Sequence, residues 1–420
     1  MLHAEVLTLD QAVARALSTS INLQKGALDL STAAYAARHT WSEFFPTISA
    51  GANIGYNSSS TNLFSNSGIA KATPTYNSSA SVSLQLNAGI PSAIKLIQLA
   101  YQQQLLTFDD AKRQLTIQVT KTFYSLIAEK DHVANVEETL TLTRRQYDRI
   151  RTGFQTGLSS QLDVRQSELS VRQAELDLSS AQASYSSNMR SFLTLVGVDY
   201  DSGLELQGTL TVVPVQADPE QLIRDHLSER PDIRLQRQTI ERLIATKQQN
   251  DWKTYAPSIS LSWGLQTGAS FGSDPSFRDP LGMSLSVTIP INPWIPGTKD
   301  YQNVQSTNTN IEKARLDLKN TEDQAKAQIR SLTENLRNLW NAIEIARLQV
   351  QIAEETYTMR ERAFRVGAVE SLTLENTRQA RANAEYQLLT RELSYWNTML
   401  DLAAAVNIDW RAFMENEENR

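Results

Sequence analysis

The chain has 420 residues and no cysteine. Disulfides, thiolate metal sites and a lipidated cysteine within the chain as given are therefore excluded, while an oxidising compartment stays compatible. No apolar run approaches the ~20 residues that a membrane-spanning helix requires. The start, Met1-Leu2-His3-Ala4-Glu5, lacks the charged and apolar regions of a signal peptide. The net charge is −6, and no block of Lys and Arg offers a footprint for nucleic-acid phosphates. His3, His39, His132 and His226 are the only histidines, scattered without ligand spacing, so no metal site is expected. Neither a Gly-Xaa-Ser-Xaa-Gly turn nor a phosphate loop occurs. Asp and Glu are plentiful but fall on helical patterns, where carboxylates are usually solvated. The chain is therefore not expected to be an enzyme, and it nominates no catalytic residue and no cofactor.

Four short stretches alternate strictly. From Pro257 to Thr267, Ile259, Leu261, Trp263 and Leu265 alternate with Ser258, Ser260, Ser262, Gly264 and Gln266. Ile48, Ala50, Ala52, Ile54 and Tyr56 alternate with Ser49, Gly51, Asn53, Gly55 and Asn57. Val82, Leu84, Leu86 and Ala88 alternate with Ser81, Ser83, Gln85 and Asn87. Leu281, Met283, Leu285, Val287, Ile289 and Ile291 form the fourth run, with Ser284, Ser286 and Thr288 between them. A period of two puts all apolar groups on one face of a strand and all small polar groups on the other. A soluble sandwich would need a second sheet against the apolar face, and the rest of the sequence reads as helix. Lipid is the remaining partner, with serine turned to water. About ten tilted residues also suffice to cross a bilayer. Membrane strands imply export, so a signal is expected to have been removed.

The helical stretches are long. Leu9 to His39 reads as one helix, with Asp10 as a candidate cap. Pro46 opens the first strand, and a polar loop runs from Ser58 to Ser79. Pro91 suits a first helical turn, and the pattern then runs from Ser92 to Arg151 without Pro or Gly, roughly 90 Å of helix. Gly153 and Gly157 break it. Leu162, Leu169, Leu176 and Ala183 then repeat every seven residues beside Val164, Val171, Leu178, Tyr185 and Phe192, the pattern of a coiled-coil seam. Gly197 ends that helix, and Ser202 to Pro219 reads as a connector with short β-like runs. A helix from Glu220 to Asp251 is broken at Pro231. A shorter loop carrying Gly268, Gly272, Pro275 and Pro280 separates the third and fourth strands. A second long helix runs from Thr298 to Val366, Gly367 breaks it, and a last helix returns to Asn407.

The two halves match. At an offset of 210 residues, Tyr147, Phe154, Gly157, Leu162, Ala174, Leu178, Tyr185, Val196 and Asp199 correspond to Tyr357, Phe364, Gly367, Leu372, Ala384, Leu388, Tyr395, Val406 and Asp409. Leu17 and Leu30 pair with Leu227 and Ile240, and Pro46 and Ile48 with Pro257 and Ile259 one residue further on. Such agreement from first helix to last reads as duplication of one unit. The first repeat is 1–210, with strands at about 47–58 and 80–89 and a hairpin at about 92–197. The second is 211–420, with strands at about 257–267 and 281–291 and a hairpin at about 298–407.

With this duplicated unit, the tip sequences Phe154-Gln-Thr-Gly-Leu-Ser-Ser-Gln-Leu-Asp-Val164 and Phe364-Arg-Val-Gly-Ala-Val-Glu-Ser-Leu-Thr-Leu374, and the strand entries Pro46-Thr-Ile-Ser and Pro257-Ser-Ile-Ser, the chain resembles the TolC-type outer-membrane efflux and secretion channels, the outer membrane factors. The resemblance covers nearly the whole chain. It implies a mixed α and β membrane protein: four strands per chain, a homotrimer with a twelve-stranded outer-membrane β-barrel, and a periplasmic α-helical barrel of long coiled-coil helices. It further implies an exit duct of a tripartite efflux or type I secretion system, gated at its tip and energised by an inner-membrane pump through a periplasmic adaptor. Physics asks for several chains independently, since four strands cannot close and an open edge in lipid leaves backbone groups unsatisfied. Three or four chains leave room for water; the choice of three comes from the resemblance.

The family's tip positions map onto Leu372 as an apolar ring, and onto Thr373 and Asn376 where aspartates are common. Glu370 and Glu375 lie adjacent. The departure from the acidic pattern argues against strong cation selectivity. Gly157, Leu158, Ser159, Gly367, Ala368 and Val369 resemble the adaptor-docking surface. Trp41, Phe44, Phe45, Trp252, Tyr255 and Trp294 flank strand ends and read as an interfacial aromatic belt against outer-membrane lipid, with helix-to-sheet packing as the alternative. For the whole chain the competing reading is a soluble or peripheral coiled-coil scaffold or adaptor without a pore.

Overall fold

A computed structural model describes residues 6–57, 73–198, 204–270 and 282–418. His3, Asp199, Gly272, Pro275, Pro280, Leu281 and most of the loop expected from Ser58 lie outside the described residues. In chain order the elements are β1 (Val6–Leu7), α1 (Leu9–Thr19), α2 (Ile21–Arg38), β2 (Thr47–Asn57), β3 (Thr73–Leu86), α3 (Ile90–Gln155) and α4 (Gln161–Val196). There follow β4 (Glu205–Leu206), α5 (Pro219–His226), α6 (Pro231–Tyr255), β5 (Ser258–Ser270), β6 (Gly282–Thr288), α7 (Lys299–Arg365), α8 (Ser371–Val406) and α9 (Arg411–Glu418). The order helix, strand, strand, very long helix, long helix thus occurs twice. The chain forms two compact units. One holds 29–105 and 235–318; the other holds 1–28, 106–234 and 319–420.

The first unit contains a four-stranded antiparallel sheet in the order β2-β3-β5-β6. Its register aligns the alternating patterns into rows. Ile48 pairs with Val82, Val82 with Trp263, and Trp263 with Met283. Leu84, Leu261 and Leu285 form the next row, and Leu86, Ile259 and Val287 the next. The opposite face is a serine ladder, in which the Ser49 and Ser81 hydroxyls lie 2.8 Å apart and those of Ser262 and Ser284 2.6 Å apart. The apolar face is bare: Trp263 is 49% exposed, Ile48 71% and Met283 74%. Burying such a face from water is worth about 25 cal/mol per Å², and among the described residues no element covers it. Among the described residues β2 and β6 each have one neighbour, so both edges of the sheet are open there.

β3 starts at Thr73, well before the expected position near 80, and stops at Leu86. The Asn-Ser-Ser-Ala stretch 77–80 reads as loop by propensity, and cross-strand pairing with β2 and β5 overrides that. The early stop has a local cause: the Asn87 side chain accepts from the Gly89 N–H at 2.9 Å and turns the chain into α3. β5 runs on to Ser270, past the expected 267, because its pairing with β3 continues to Thr75.

The second unit is a layer of helices. α4 meets α3 through Arg144–Glu175 at 2.9 Å and Asn188–Glu129 at 2.7 Å. α3 meets α8 through Lys121–Asp401 at 2.5 Å and the rings of His132 and Tyr386, 4.4 Å apart. α8 meets α7 through Arg347–Glu392 at 3.0 Å and Arg381–Glu354 at 2.5 Å. The layer order is therefore α4-α3-α8-α7. One apolar cluster joins Leu7, Ala12, Ala16, Phe123, Leu126, Phe192 and Val196. A second joins Ile223, Ile329, Leu336, Ile343, Trp396, Met399 and Leu400. The short parallel pair β1–β4 borders the first cluster; among the described residues of the expected β-like connector, Glu205 and Leu206 form strand.

Four local expectations change. Thr8, not Asp10, caps α1, in a reciprocal box with Gln11; Asp10 sits inside the first turn. The expected helix 9–39 divides at Ser20, whose backbone leaves helical geometry. Gly153 lies inside α3, and the chain turns only at Gly157, at φ +76°. The heptad row Leu162, Leu169, Leu176 is 73%, 68% and 60% exposed. Within the chain α4 instead buries Ser167, Ala174, Met189 and Phe192, the neighbouring stripe of the same helix.

The two returning helices end alike. Gly197 at φ +74° and Asn407 at φ +58° are left-handed caps, with the next N–H bonded back to Leu193 and Ala403 at 2.9 and 3.1 Å. Gly197 has a second constraint: a Cβ there would lie 2.3 Å from the Thr19 hydroxyl oxygen, which itself donates to the Val196 carbonyl at 2.9 Å. Gly197→Ala is therefore expected to destabilise by at least about 2 kcal/mol, since the left-handed conformation alone costs roughly 1–2 kcal/mol. Thermal unfolding in detergent reads this out, with Gly157→Ala, which meets nothing within 4 Å, as the milder comparison.

Candidate functional site at the helical tips

The glycines that join the helix pairs are superimposable in geometry. Gly157 and Gly367 take φ +76° and +75°. The N–H groups of Leu158 and Ala368 return to Gly153 and Ala363 at 2.8 and 2.9 Å. The positive φ closes each α-helix and aims the next residue outward, so Leu158 stands 86% exposed. Residues 156–160 separate α3 from α4; Ser160 and Asp163 form a reciprocal capping box at 3.1 and 2.9 Å. The Ser160 hydroxyl and backbone hold the Asp163 carboxyl below the usual carboxylate range. At the second tip Glu370 caps α8 without a side-chain bond.

The named constriction residues divide. Leu372, Asn376 and Glu370 are exposed. Leu372 and Asn376 are four residues apart and share a helix face. Leu374 turns inward and is buried. Thr373 is half-buried, and its carbonyl accepts from the Thr377 hydroxyl at 2.8 Å. Glu375 is not free: its carboxylate is paired with Arg378. The tip residues Ser159, Gly367, Ala368 and Val369 lie on the same turns, with Val369 partly covered.

Sequence reading missed Arg378, which is 4% exposed. Its guanidinium donates to Glu375 and, at 3.4 Å, to the Gln146 carbonyl oxygen. The Gln146 amide in turn donates to the Ser371 hydroxyl at 3.3 Å. This buried chain ties the first turn of α8, which bears Leu372, to α3. The signal was its phase: Arg378 lies four residues after Leu374, on the buried stripe, where a solvated charge has no place. One turn further on, Arg381 bridges Glu354 and Glu385 at 2.5 and 2.8 Å and lies over the Tyr357 ring.

Further along the layer, α3, α4 and α8 enclose an open groove of about 590 Å³, whose lining includes Glu129, His132, Asp177 and Tyr386. Burial pushes the Glu129 carboxyl up, against the opposing Asn188 hydrogen bond, and pushes the His132 imidazole down. Both shifts favour neutral forms. Among the described residues no group of three or more acidic, His or Cys side chains could hold a metal.

The aromatic residues gather at one end of the sheet. Trp41, Phe44 and Phe45 precede β2, Trp252 and Tyr255 precede β5, and Trp294 follows β6. Trp41 and Phe45 meet edge to face at 5.2 Å, as do Tyr255 and Trp294 at 5.0 Å. All but Tyr255 are exposed.

A four-stranded antiparallel sheet and two long helical hairpins in one chain are shared with solved outer-membrane channels. CusC, solved in crystal structures that follow its folding and transmembrane channel formation, aligns with a TM-score of 0.76 at 16% identity, over 96% of this chain and 92% of its own. The Campylobacter jejuni CmeC outer membrane channel gives 0.75 at 15% identity, over 97% and 89%. The open state of the Neisseria gonorrhoeae MtrE outer membrane channel gives 0.74 at 18%, over 95% and 89%. At such identities the likeness is one of fold. The sequence itself matches the profile of the outer membrane efflux proteins over residues 12–198 and 222–407. The chain belongs to the outer membrane efflux protein family, whose members are passive outer-membrane channels and not enzymes. Comparison with curated proteins gave no match.

Proposed function

We propose that three copies of this chain form the exit duct of a tripartite efflux or secretion system. The observation that carries this is the sheet. Its apolar face is bare, its serine face is polar, and both its edges are open. In hydrocarbon each unsatisfied backbone group costs several kcal/mol, so the edges require further strands. Twelve strands from three chains would close a barrel with apolar residues outward and serines lining water. The exposed aromatics at one sheet end would form the interfacial belt. α3 and α7, at 66 and 67 residues, each extend about 100 Å, a length suited to crossing the periplasm. The matched glycine turns, the matched caps at Gly197 and Asn407 and the repeated element order support the reading of residues 1–210 and 211–420 as a duplicated unit.

In this reading the tips carry the gate and the adaptor surface. Leu372 and Asn376 supply the inward ring, and three-fold symmetry triples each side chain. Glu375 contributes less charge to the ring because Arg378 neutralises it. Gly157, Leu158, Ser159, Gly367, Ala368 and Val369 present the surface for a periplasmic adaptor, and an inner-membrane pump supplies energy. Leu372→Gly in planar bilayers is expected to raise closed-state single-channel conductance several-fold. Unchanged conductance removes Leu372 from the gate. Unaltered gel migration on boiling, together with extraction from membranes without detergent, would remove the barrel itself.

A further inference from the structure

The groove between α3, α4 and α8 has the size and the chemistry of a ligand site. Its volume of about 590 Å³ falls in the range of small-molecule pockets. The ionisable groups of its lining are Glu129 and His132 on α3, Asp177 on α4 and Tyr386 on α8; among the described residues the lining holds no Lys or Arg. Leu389 and Leu393 give it an apolar wall. The Tyr386 ring is 49% exposed and lies 4.4 Å from the His132 ring. Glu129 accepts from the Asn188 amide at 2.7 Å through one oxygen, and its other oxygen is buried with no partner among the described residues. A buried acceptor left unmade is costly. Asp177 is exposed and accepts from the Gln173 amide at 2.8 Å.

Helical phase places the groove on one face of the layer. Phe123 and Lys130 share a face of α3; Phe123 packs with Leu7 and Leu206, and the Lys130 ammonium reaches Glu205 at 2.7 Å. Ala128, His132, Asn135 and Thr139 line the groove and lie about 160° round the helix, at about 100° per residue. α8 agrees. The Tyr395 hydroxyl donates to the Val213 carbonyl and accepts from the Val215 N–H, both at 2.8 Å, while Tyr386 lies about half a turn round from it. The β1–β4 pair and the connector therefore sit on one face, and the groove opens on the other. In a closed tube of such layers the connectors fit outside and would obstruct the channel inside, so the groove faces the lumen.

We propose that this groove binds a small organic cation with an aromatic or aliphatic body, as a contact site for cargo in the wall of the duct. Two carboxyl groups in a cleft without a basic neighbour in its lining focus a field that favours positive charge. The unpartnered oxygen of Glu129 gains a counter-charge that the chain does not supply. Tyr386 offers a ring face to a cation, and the leucine wall takes the apolar body. An anion of the same size meets the same carboxylates and is repelled. Burial favours the neutral forms of both Glu129 and His132. Acidification therefore acts twice in one direction: a protonated Glu129 loses its attraction, and a protonated His132 adds repulsion. Binding is expected to weaken from about pH 7.5 to about pH 5. The lumenal placement rests on the oligomeric reading above; the class of ligand rests on the lining alone.

The test uses the full chain in detergent and benzyltrimethylammonium, whose charge does not change with pH, with benzenesulfonate as an anion of similar size. Equilibrium dialysis is expected to show the cation retained at least about tenfold more strongly than the anion. Glu129→Gln and Asp177→Asn, which keep side-chain shape, are each expected to weaken cation retention about three- to tenfold, and Tyr386→Leu about threefold. Glu137→Gln removes an exposed carboxylate from the other face of α3 and is expected to change nothing. In planar bilayers the cation is expected to reduce the single-channel current, and Asp177→Asn to relieve that block. Equal retention of the two ions, or cation retention indifferent to Glu129→Gln and Asp177→Asn combined, overturns the site, and a conducting channel then leaves the duct standing. Selective retention without any block of current overturns the lumenal placement. A chain that retains the cation as expected but conducts no current overturns the duct and leaves the site.

Discussion

Leu285→Arg is expected to abolish assembly into the membrane, whereas Ser284→Arg, one residue away, is expected to be tolerated. Leu285 is the middle of β6, in a row with Leu84 and Leu261 on the bare face. If that face meets lipid, an arginine near the bilayer midplane costs about 2–4 kcal/mol in each chain. A homo-oligomer pays it in every copy, which is comparable with the whole stability margin of an ordinary domain. Ser284 projects to the other side, beside Ser262 at 2.6 Å. An arginine there stands in water if the serine face lines a channel, and its effect is confined to selectivity. The measurement is the fraction of folded, heat-modifiable oligomer after refolding into vesicles, with Ser262→Arg and Leu261→Arg as a second pair. Equal tolerance on both faces, or failure on both, contradicts a sheet with hydrocarbon on one side and water on the other. A soluble sandwich would also reject Leu285→Arg, but it would bury Trp263, and the ring is half exposed.

The alternation of small polar and apolar residues made this sheet legible, because a strand in lipid obeys the same period of two as a strand on a core. Its order β2-β3-β5-β6 was not legible: pairing across the halves depends on register between distant segments. The outer part of β3 was hidden because Asn77, Ser78 and Ser79 have poor strand propensity, and only their neighbours hold them extended. The long helices and their stops at Gly157, Gly197 and Gly367 could be read directly, since a left-handed turn has few other occupants. The heptad row on α4 was visible too, yet its partner was not. A seven-residue period states that a helix will pack and is silent about whether the partner belongs to the same chain. Here the neighbouring stripe with Ser167 and Ala174 meets α3, and the leucines remain outside. Arg378 shows the opposite limit. A basic residue three after a glutamate is an ordinary surface pair on a helix, and only its phase with Leu374 distinguishes it.

Arg378→Met is expected to loosen the second tip and raise conductance without unfolding the chain. The guanidinium is buried and satisfies Glu375 and Gln146 together, while Gln146 holds Ser371. Removing one partner of a buried pair costs about 3–5 kcal/mol because the other is left uncompensated. Glu375 keeps partial access to water at 23% exposure, which puts the cost near the low end, at about 3 kcal/mol. The two apolar clusters do not involve this network, so the loss should be local. Amides in the first turns of α8 should exchange faster, and those around Trp396 should not change. Because Leu372 and Asn376 ride on those turns, a ring built from them would open more often, and closed-state conductance in planar bilayers should rise. Gln146→Leu should act in the same direction, and the double variant should fall short of the sum, since both remove the same tie. Arg378→Lys keeps the charge but not the fork that spans two partners, and should be intermediate. Faster exchange with unchanged conductance would leave Arg378 a structural residue and detach it from the gate. Unchanged exchange in Arg378→Met would show that α8 is held to α3 by its apolar contacts alone.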